Sequence, residues 1–210
     1  MGTTPTIEPW KPSSHGPSKT ALLPLDHETA HVGMVSDTEG GDNVVKSSKT
    51  LLEAARRNNV AVLHCLMDTS SDPLPTSKGN EKWHALIKPM IAANPDMVVE
   101  YKDFVAGDNS NETTFHRNPG HMSALADESV LRFLREMLGV SHLIMCGITT
   151  SNAVLGTAIH ANDLNFVVTV VREACWDPDE QVHSALLDKV LPVLTWATAV
   201  KEAVGYYMDS

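Results

Sequence analysis

The sequence predicts an α/β protein, a three-layer α/β/α sandwich around a mainly parallel sheet. Apolar runs of strand length alternate with segments whose apolar residues recur at helical spacing. The strand-length runs are apolar almost throughout, which is typical of strands covered on both faces. The chain has 210 residues, of which 42% are hydrophobic and 20% charged, and this is enough to bury the core of one such domain.

The predicted elements follow one another in βα order. Polar segments or glycines separate them, and Gly139 marks the end of one helix. The predicted strands are Ala21–Asp26, Val60–Leu66, Met97–Lys102, Leu143–Ile148, Asn165–Val171 and Ala197–Val200; the predicted helices are Asp42–Asn58, Glu81–Ala93, Asp127–Gly139, one following Thr149, and Asp179–Val190.

Two segments depart from this regular pattern. Pro24 lies inside the first strand, where it donates no hydrogen bond to a neighbour, so the extent of that strand is uncertain in the prediction. Residues Asp103–His121 are polar and rich in asparagine and threonine, and we interpret them as a long loop with a functional role or high mobility.

Charge, hydropathy and cysteine content restrict the class of protein. The net charge of -10 argues against nucleic acid as a partner, and no apolar run is long enough to cross a membrane. Residues 1–19 are rich in Pro, Ser, Thr and Gly, so we expect a flexible arm rather than a secretory signal. Three cysteines cannot all pair, which favours a reduced, cytoplasmic protein and leaves unconventional secretion open.

Three features are predicted to meet at the carboxyl edge of the sheet. They are Asp26 after strand one, Lys102 after strand three, and the Gly147–Ala153 turn, whose helix start favours anions. An acid beside a lysine forms a proton-transfer pair, because each charge shifts the pKa of the other. A simple salt bridge, with Asp26 as a turn cap, is the alternative.

Other catalytic patterns do not fit. The chain has neither the glycine pattern of a phosphate or dinucleotide loop nor the flanking glycines of a nucleophile elbow around Ser151. Its histidines are scattered without ligand spacing; His27 and His31 lie just past strand one, and His64 is expected to pack in the core. We therefore predict no metal and no cofactor.

Taken together, these residues resemble the isochorismatase-like hydrolase superfamily, which includes cysteine-dependent amidases. The family has an Asp after its first strand, a Lys after its third, and the signature Gly-x-x-Thr-x-x-Cys-Val-x-x-Thr-Ala. Residues Gly147–Ala158 match every fixed position of that signature except the cysteine, which is Ala153 here. The resemblance covers Ala21 to Val204, and it implies residues 20–210 as one hydrolase domain.

The chain departs from the family in three places. His27-Glu28 replaces the usual Met-Gln, and Asp68-Thr69-Ser70 replaces the metal motif of nicotinamidases. The segment between Lys102 and Phe115 is also longer than usual. The missing metal motif argues against nicotinamidase activity. The longer segment after Lys102 makes Lys102 the assignment that departs most from the family pattern.

The resemblance implies a set of site residues. The catalytic positions are Asp26, Lys102 and Ala153, the last at the nucleophile's place. The oxyanion site consists of the backbone of Ile148, Thr149 and Asn152 around a cis Ile148–Thr149 peptide. The substrate-binding residues are Phe115, His116, Arg117 and Thr150, with Arg117 or His116 pairing with substrate carboxylates.

The missing cysteine leaves three hypotheses open. The first is an isochorismatase that cleaves the vinyl ether of isochorismate and releases pyruvate, with Asp26 as general acid. The second is an amide or ureide C–N hydrolase whose nucleophile has been replaced by Ala153, naturally or deliberately, and the third is a non-catalytic binding protein. The expected partner is a small-molecule substrate, and we expect a homo-oligomer because relatives commonly assemble.

Overall fold

The computed structural model describes residues 8–38, 40–107 and 111–208 and contains the expected parallel sheet. Six strands all run parallel, in the order β3-β2-β1-β4-β5-β6. Helices cover both faces, which confirms the predicted three-layer α/β/α architecture. The strands are β1 (Thr20–Leu25), β2 (Ala61–Met67), β3 (Glu112–Arg117), β4 (His142–Ile148), β5 (Val167–Trp176) and β6 (Trp196–Thr198).

The helices lie between the strands, as right-handed parallel crossovers require. Several helices consist of α-helical and π-helical segments that follow one another directly. The helices are α1 (Thr29–Ser36), α2 (Gly41–Arg57), α3 (Asn80–Lys82, Trp83–Ile87 and Lys88–Ala93), α4 (Glu128–Arg132 and Phe133–Met137), α5 (Thr150–Val154 and Leu155–Asp163), α6 (Glu180–Ala185 and Leu186–Val190) and α7 (Val200–Ala203 and Val204–Met208).

Successive residues of the central strands are buried against opposite layers of helices. Leu23 and Leu25 of β1 pack in the cluster that holds Leu134 and Ala158, beneath α4 and α5. Leu22 packs in the other cluster with residues of α1, α2 and α7. Burial on both faces explains why these strands are apolar throughout.

The predicted third strand is wrong. Residues Pro95–Val98 form a short 3₁₀ helix, and Glu100 makes only an isolated antiparallel bridge with Glu28. The third strand is instead Glu112–Arg117, inside the segment that was predicted to be a long loop. It is an edge strand with few apolar residues, so hydrophobic periodicity does not reveal it.

Two of the three aspartates that begin predicted helices act as helix caps in the structure. Asp127 accepts a hydrogen bond from the Ser129 amide, and Asp179 accepts bonds from the first turn of α6. Asp42 is not a cap: it lies in the first turn of α2, and Gly40 precedes the helix with a left-handed backbone. Gly139 has φ 62 just after α4, which is favourable for a glycine at a helix end.

The described part of the N-terminal arm packs on the domain. Pro12 is buried, His15 Nδ1 lies 2.8 Å from Ser141 Oγ, and the Trp10 carbonyl accepts a hydrogen bond from Trp196. Residues 8–19 therefore lie against the domain rather than extending freely as predicted, while residues 1–7 are outside the described residues.

The three cysteines are buried free thiols. Cys65, Cys146 and Cys175 are buried and unpaired with one another, and burial raises the pKa of Cys65 and Cys175 to about 12. Within the three described ranges, every helix is too short or too polar to cross a bilayer.

The substitution Gly147→Ala tests how closely β1 and β4 pack at this position. A methyl group there would lie 2.4 Å from the Leu25 carbonyl oxygen and 2.7 Å from Leu25 Cβ, and neither atom is free to move away. We expect Gly147→Ala to lower the free energy of unfolding by about 2–4 kcal/mol, measured by urea denaturation. Gly33→Ala is the control, since nothing lies within 4 Å of the added methyl on α1. Equal stability of the two variants would contradict this packing.

Candidate active site

The candidate site lies where β1 and β4 end side by side. The strand order reverses direction between these two strands, and such switch points form ligand crevices in parallel sheets. Asp26 follows β1 with φ 55, and its amide donates to the Cys65 carbonyl at the end of β2 (2.9 Å). The backbone therefore directs the Asp26 carboxyl group into the crevice.

Asp26 is paired with Arg117, the last residue of β3. Arg117 Nη2 donates to Asp26 Oδ2, and Arg117 Nη1 donates to the His121 carbonyl at 2.9 Å. The two side chains are only 3% and 5% exposed, so water screens their attraction little. The cation beside Asp26 is therefore an arginine on β3, in the place predicted for a lysine.

The carboxyl of Asp26 holds a proton more tightly than an ordinary aspartate. Burial is the main cause, and the nearby Glu28 carboxylate adds to it, while Arg117 and His31 oppose them; together they raise the pKa of Asp26 to about 7. Among the described residues, no hydrogen-bond partner reaches Asp26 Oδ1. Asp26 can therefore hold a proton near neutral pH on Oδ1, an oxygen that is buried and has no hydrogen-bond partner among the described residues.

Glu28 and His31 form a second charged pair beside Asp26. Glu28 Oε1 accepts from the Met67 amide at 2.6 Å, and Glu28 Oε2 lies 2.9 Å from His31 Nδ1. Burial opposes ionisation of Glu28, but the bonds from His31 and Met67 lower its pKa below the usual value. Burial likewise opposes the charged His31 ring, but its bond to Glu28 raises the pKa of His31.

A cavity of about 460 Å³ opens above these groups. Its polar floor contains Asp26, Glu28, His31, Arg117 and Asn152, with Lys82 on its wall. Most of the remaining wall is apolar and includes four methionines. The apolar lining residues are Ala30, Met34, Met67, Trp83, Leu86, Ile87, Met90, Ile91, Met97 and Val98. The cavity thus combines a small charged floor with a large apolar wall.

The turn after β4 borders this cavity. The Ile148–Thr149 peptide is cis, as the resemblance implied. Asn152 lines the cavity, whereas Ala153 is fully buried in the hydrophobic core and is not one of the lining residues. The Ser151 amide donates to Asp177 Oδ2 at 2.7 Å, and the Asn152 amide donates to the Thr149 carbonyl at 3.2 Å. These two amides are already bonded within the protein.

Several predicted site residues lie away from the cavity. Lys102 is exposed in a turn, because the segment before it is not a strand. Phe115 packs edge-on against Phe133, with 5.4 Å between the ring centroids, and His116 is exposed on β3. Thr150 is buried and bonds His183. None of these four residues lines the cavity, so Arg117 alone of the predicted substrate-binding set lies there.

Sequence analysis missed Glu28 and His31 as site residues. The unusual His27-Glu28 pair after Asp26 was visible, as was His31 three residues after Glu28. His27 is not part of the cavity: its ring lies 4.4 Å from that of Phe104, and burial lowers the pKa of His27 to about 4. Within the described ranges, no group of three or more His, Cys, Asp or Glu residues is arranged to hold a metal.

Both the sequence match and the structural comparison relate the chain to isochorismatase family proteins. Residues 20–202 match the model of the isochorismatase domain, while no curated protein matches. An isochorismatase family protein from Burkholderia thailandensis superposes with a TM-score of 0.71 at 19% identity, covering 90% of this chain and 95% of that one.

Two further solved structures have related names. A cysteine hydrolase from Pseudomonas syringae pv. phaseolicola has a TM-score of 0.72 at 17% identity, covering 91% of this chain and 93% of that one. An N-carbamoylsarcosine amidase from Thermoplasma acidophilum has a TM-score of 0.66 at 15% identity, covering 88% and 98%. At these identities the superpositions establish the fold.

The raised pKa of Asp26 should affect how the free energy of unfolding changes with pH. Unfolded, Asp26 loses its proton near pH 3.8; folded, it keeps the proton to about pH 7. Between these values the wild type therefore loses stability as pH rises, whereas Asp26→Asn lacks this contribution. We expect the unfolding free energy of Asp26→Asn minus that of the wild type to rise across this window and then level off, measured by urea denaturation.

The exposed surface residue Asp188 provides the control. Asp188→Asn should show a smaller trend, because Asp188 is 52% exposed and water screens its pairing with Arg172. A stability difference for Asp26→Asn that is flat or falls between pH 4 and 7 would contradict a raised pKa for Asp26.

Proposed function

The chain belongs to the isochorismatase family of hydrolases, and from this we propose that it cleaves the vinyl ether of isochorismate to release pyruvate, with Asp26 as general acid. The observation that carries the proposal is the protonatable Asp26, with Oδ1 unbonded among the described residues, on the floor of the cavity. A group whose pKa lies near the working pH is best suited to donate a proton in the rate-determining step.

The reaction balances without a covalent intermediate. Asp26 gives its proton to the terminal CH₂ carbon of the vinyl ether, which leaves a cation on the adjacent carbon stabilised by the ether oxygen. Water adds to that carbon and loses a proton, and the resulting hemiketal breaks its bond to the ring oxygen. The products are pyruvate and the ring alcohol, and the proton lost from water restores Asp26.

Ala153 favours this route over nucleophilic catalysis. We assign Ala153 to the position of the family's nucleophilic cysteine, because it follows β4 within the matching signature and is buried beside Asn152 of the cavity. A methyl group cannot attack a carbonyl carbon. Proton transfer to carbon followed by water attack needs no nucleophile at this position.

Arg117 has a supporting role in this mechanism. Its guanidinium bonds Asp26 Oδ2, so the other oxygen, Oδ1, is the one that carries the transferable proton. When the proton leaves, the carboxylate that remains is buried, and a fixed cation at its side stabilises it. We propose that Arg117 takes the part expected of Lys102.

A C–N hydrolase is the second candidate. The chain shares its fold with a cysteine hydrolase and with an N-carbamoylsarcosine amidase. It also has a buried acid beside a cation at the ends of β1 and β3. On this hypothesis Ala153 replaces the cysteine of an amidase site.

Pyruvate release from isochorismate tests the first candidate. We expect turnover by the wild type and a loss of about 10²–10⁴-fold in Asp26→Asn, since an amide cannot donate the proton. The wild-type rate should fall as pH rises above about 7, because Asp26 then loses its proton. A lactate dehydrogenase-coupled assay measures the rate, and Asp188→Asn is the control. Full activity in Asp26→Asn would eliminate the role of Asp26.

Ala153→Cys tests the second candidate. If the site is that of an amidase, the new thiol should be acylated by an amide such as N-carbamoylsarcosine, and the acyl-enzyme would appear as added mass in intact-protein mass spectrometry. On our preferred proposal, Ala153→Cys gives no acyl-enzyme and wild-type protein still releases pyruvate. Amide hydrolysis by the variant, with no pyruvate from the wild type, would favour the second candidate instead.

A further inference from the structure

We propose that His31, held in place by Glu28, binds the carboxylate of the substrate in this cavity. The proposal rests on the proposed function for the identity of the substrate. It gives the Glu28–His31 pair the part that the resemblance assigned to Arg117 or His116. The pair would therefore determine which ligands the cavity accepts.

The cations first expected to bind a carboxylate are used elsewhere. Arg117 bonds Asp26 with Nη2 and the His121 carbonyl with Nη1, and its remaining nitrogen, Nε, is unbonded among the described residues but fully buried. His116 is exposed on β3 and does not line the cavity. Apart from Arg117, the basic side chains among the described residues that line it are His31 and Lys82, and Lys82 is exposed on α3. His31 is therefore the basic group on the cavity floor that remains available.

The His31 ring is fixed in one orientation. It lies in the first turn of α1, and its Nδ1 is 2.9 Å from Glu28 Oε2. Because Nε2 lies across the ring from Nδ1, it points away from Glu28, and no described residue bonds it. The side chain is 27% exposed and lines the cavity. Nε2–H is thus a directed donor with no acceptor among the described residues.

The burial and hydrogen bonds of Glu28 suit a carboxylate that holds the His31 imidazole in place. Its side chain is only 1% exposed, and a buried carboxylate is costly unless it is paired. The bond from the Met67 amide needs only an oxygen acceptor, so it does not by itself require a carboxylate. A carboxylate at this position additionally favours the protonated form of the neighbouring His31 imidazole, and a protonated imidazole attracts anions.

The apolar part of the cavity lining fits an unsaturated ring. Trp83, Met34, Met90 and Met97 line it, and thioethers pack well against flat apolar surfaces. A carboxylate attached to a planar carbon framework would place its charge on His31 and its framework against this wall. Isochorismate and simple aromatic carboxylates share this chemistry, so an inert aromatic carboxylate can report on the site.

Benzoate binding measured by isothermal titration calorimetry at pH 6 tests the proposal. We expect the wild type to bind benzoate and His31→Gln to bind it about tenfold or more weakly, since a charged hydrogen bond is lost. His31→Lys should recover affinity to within about threefold, because it restores a cation at the same place. His84→Gln is the matched control, because His84 is exposed on α3 and does not line the cavity.

The outcomes separate this proposal from the proposed function. Unaltered benzoate affinity in His31→Gln, or no binding by the wild type, overturns the role of His31 whether or not pyruvate is released. If benzoate binding depends on His31 but no pyruvate is released from isochorismate, the result supports carboxylate binding by His31 and overturns the proposed vinyl ether cleavage.

A measurement on the wild-type chain covers the case in which His31→Gln does not fold. The ¹⁵N chemical shift of His31 Nε2 should change on benzoate addition, while that of His84 should not. A His31 signal that does not respond would overturn the proposal.

Discussion

The site depends on one buried contact, between Asp26 after β1 and Arg117 at the end of β3. The contact spans β2, so it exists only when three parallel strands are in register. Burial makes ionisation of Asp26 costly, and Arg117 offsets only part of that cost, so the pKa of Asp26 remains about 7. The same pairing leaves Oδ1 as the oxygen without a partner among the described residues. Fold and acid chemistry are thereby linked.

On the proposed function, Asp26 donates a proton and needs no nucleophile beside it. In a cysteine hydrolase site, an acid with a high pKa would deprotonate a thiol when ionised; on our assignment Ala153 takes the place of that thiol. The same carboxyl group can still protonate carbon. Glu28 contributes twice, since it raises the pKa of Asp26 and bonds His31 on the cavity floor. One family scaffold thus supports water-dependent chemistry with a different set of charged residues.

The central fold was predictable because strands β1, β2, β4 and β5 are buried on both faces and therefore apolar. Strand β3 was not, because its Glu112 is held by distant partners, Arg56 at 2.8 Å and His64 at 3.5 Å, which no local pattern shows. Because β3 was misplaced, Lys102 rather than Arg117 was predicted beside Asp26. Asp26 could be located from its position after β1, whereas its pKa could not, since that depends on burial and Glu28 first and then on Arg117, 91 residues away.

The protonation state of Asp26 is the central claim, and carbon-13 NMR of the protein with labelled aspartate carboxyl groups measures it directly. One carboxyl resonance, absent from Asp26→Asn, should titrate near pH 7, well above the ordinary aspartate value of about 4. If the resonance assigned to Asp26 instead titrates below pH 4, the carboxyl is ionised at neutral pH, and Asp26 cannot be the acid of this site.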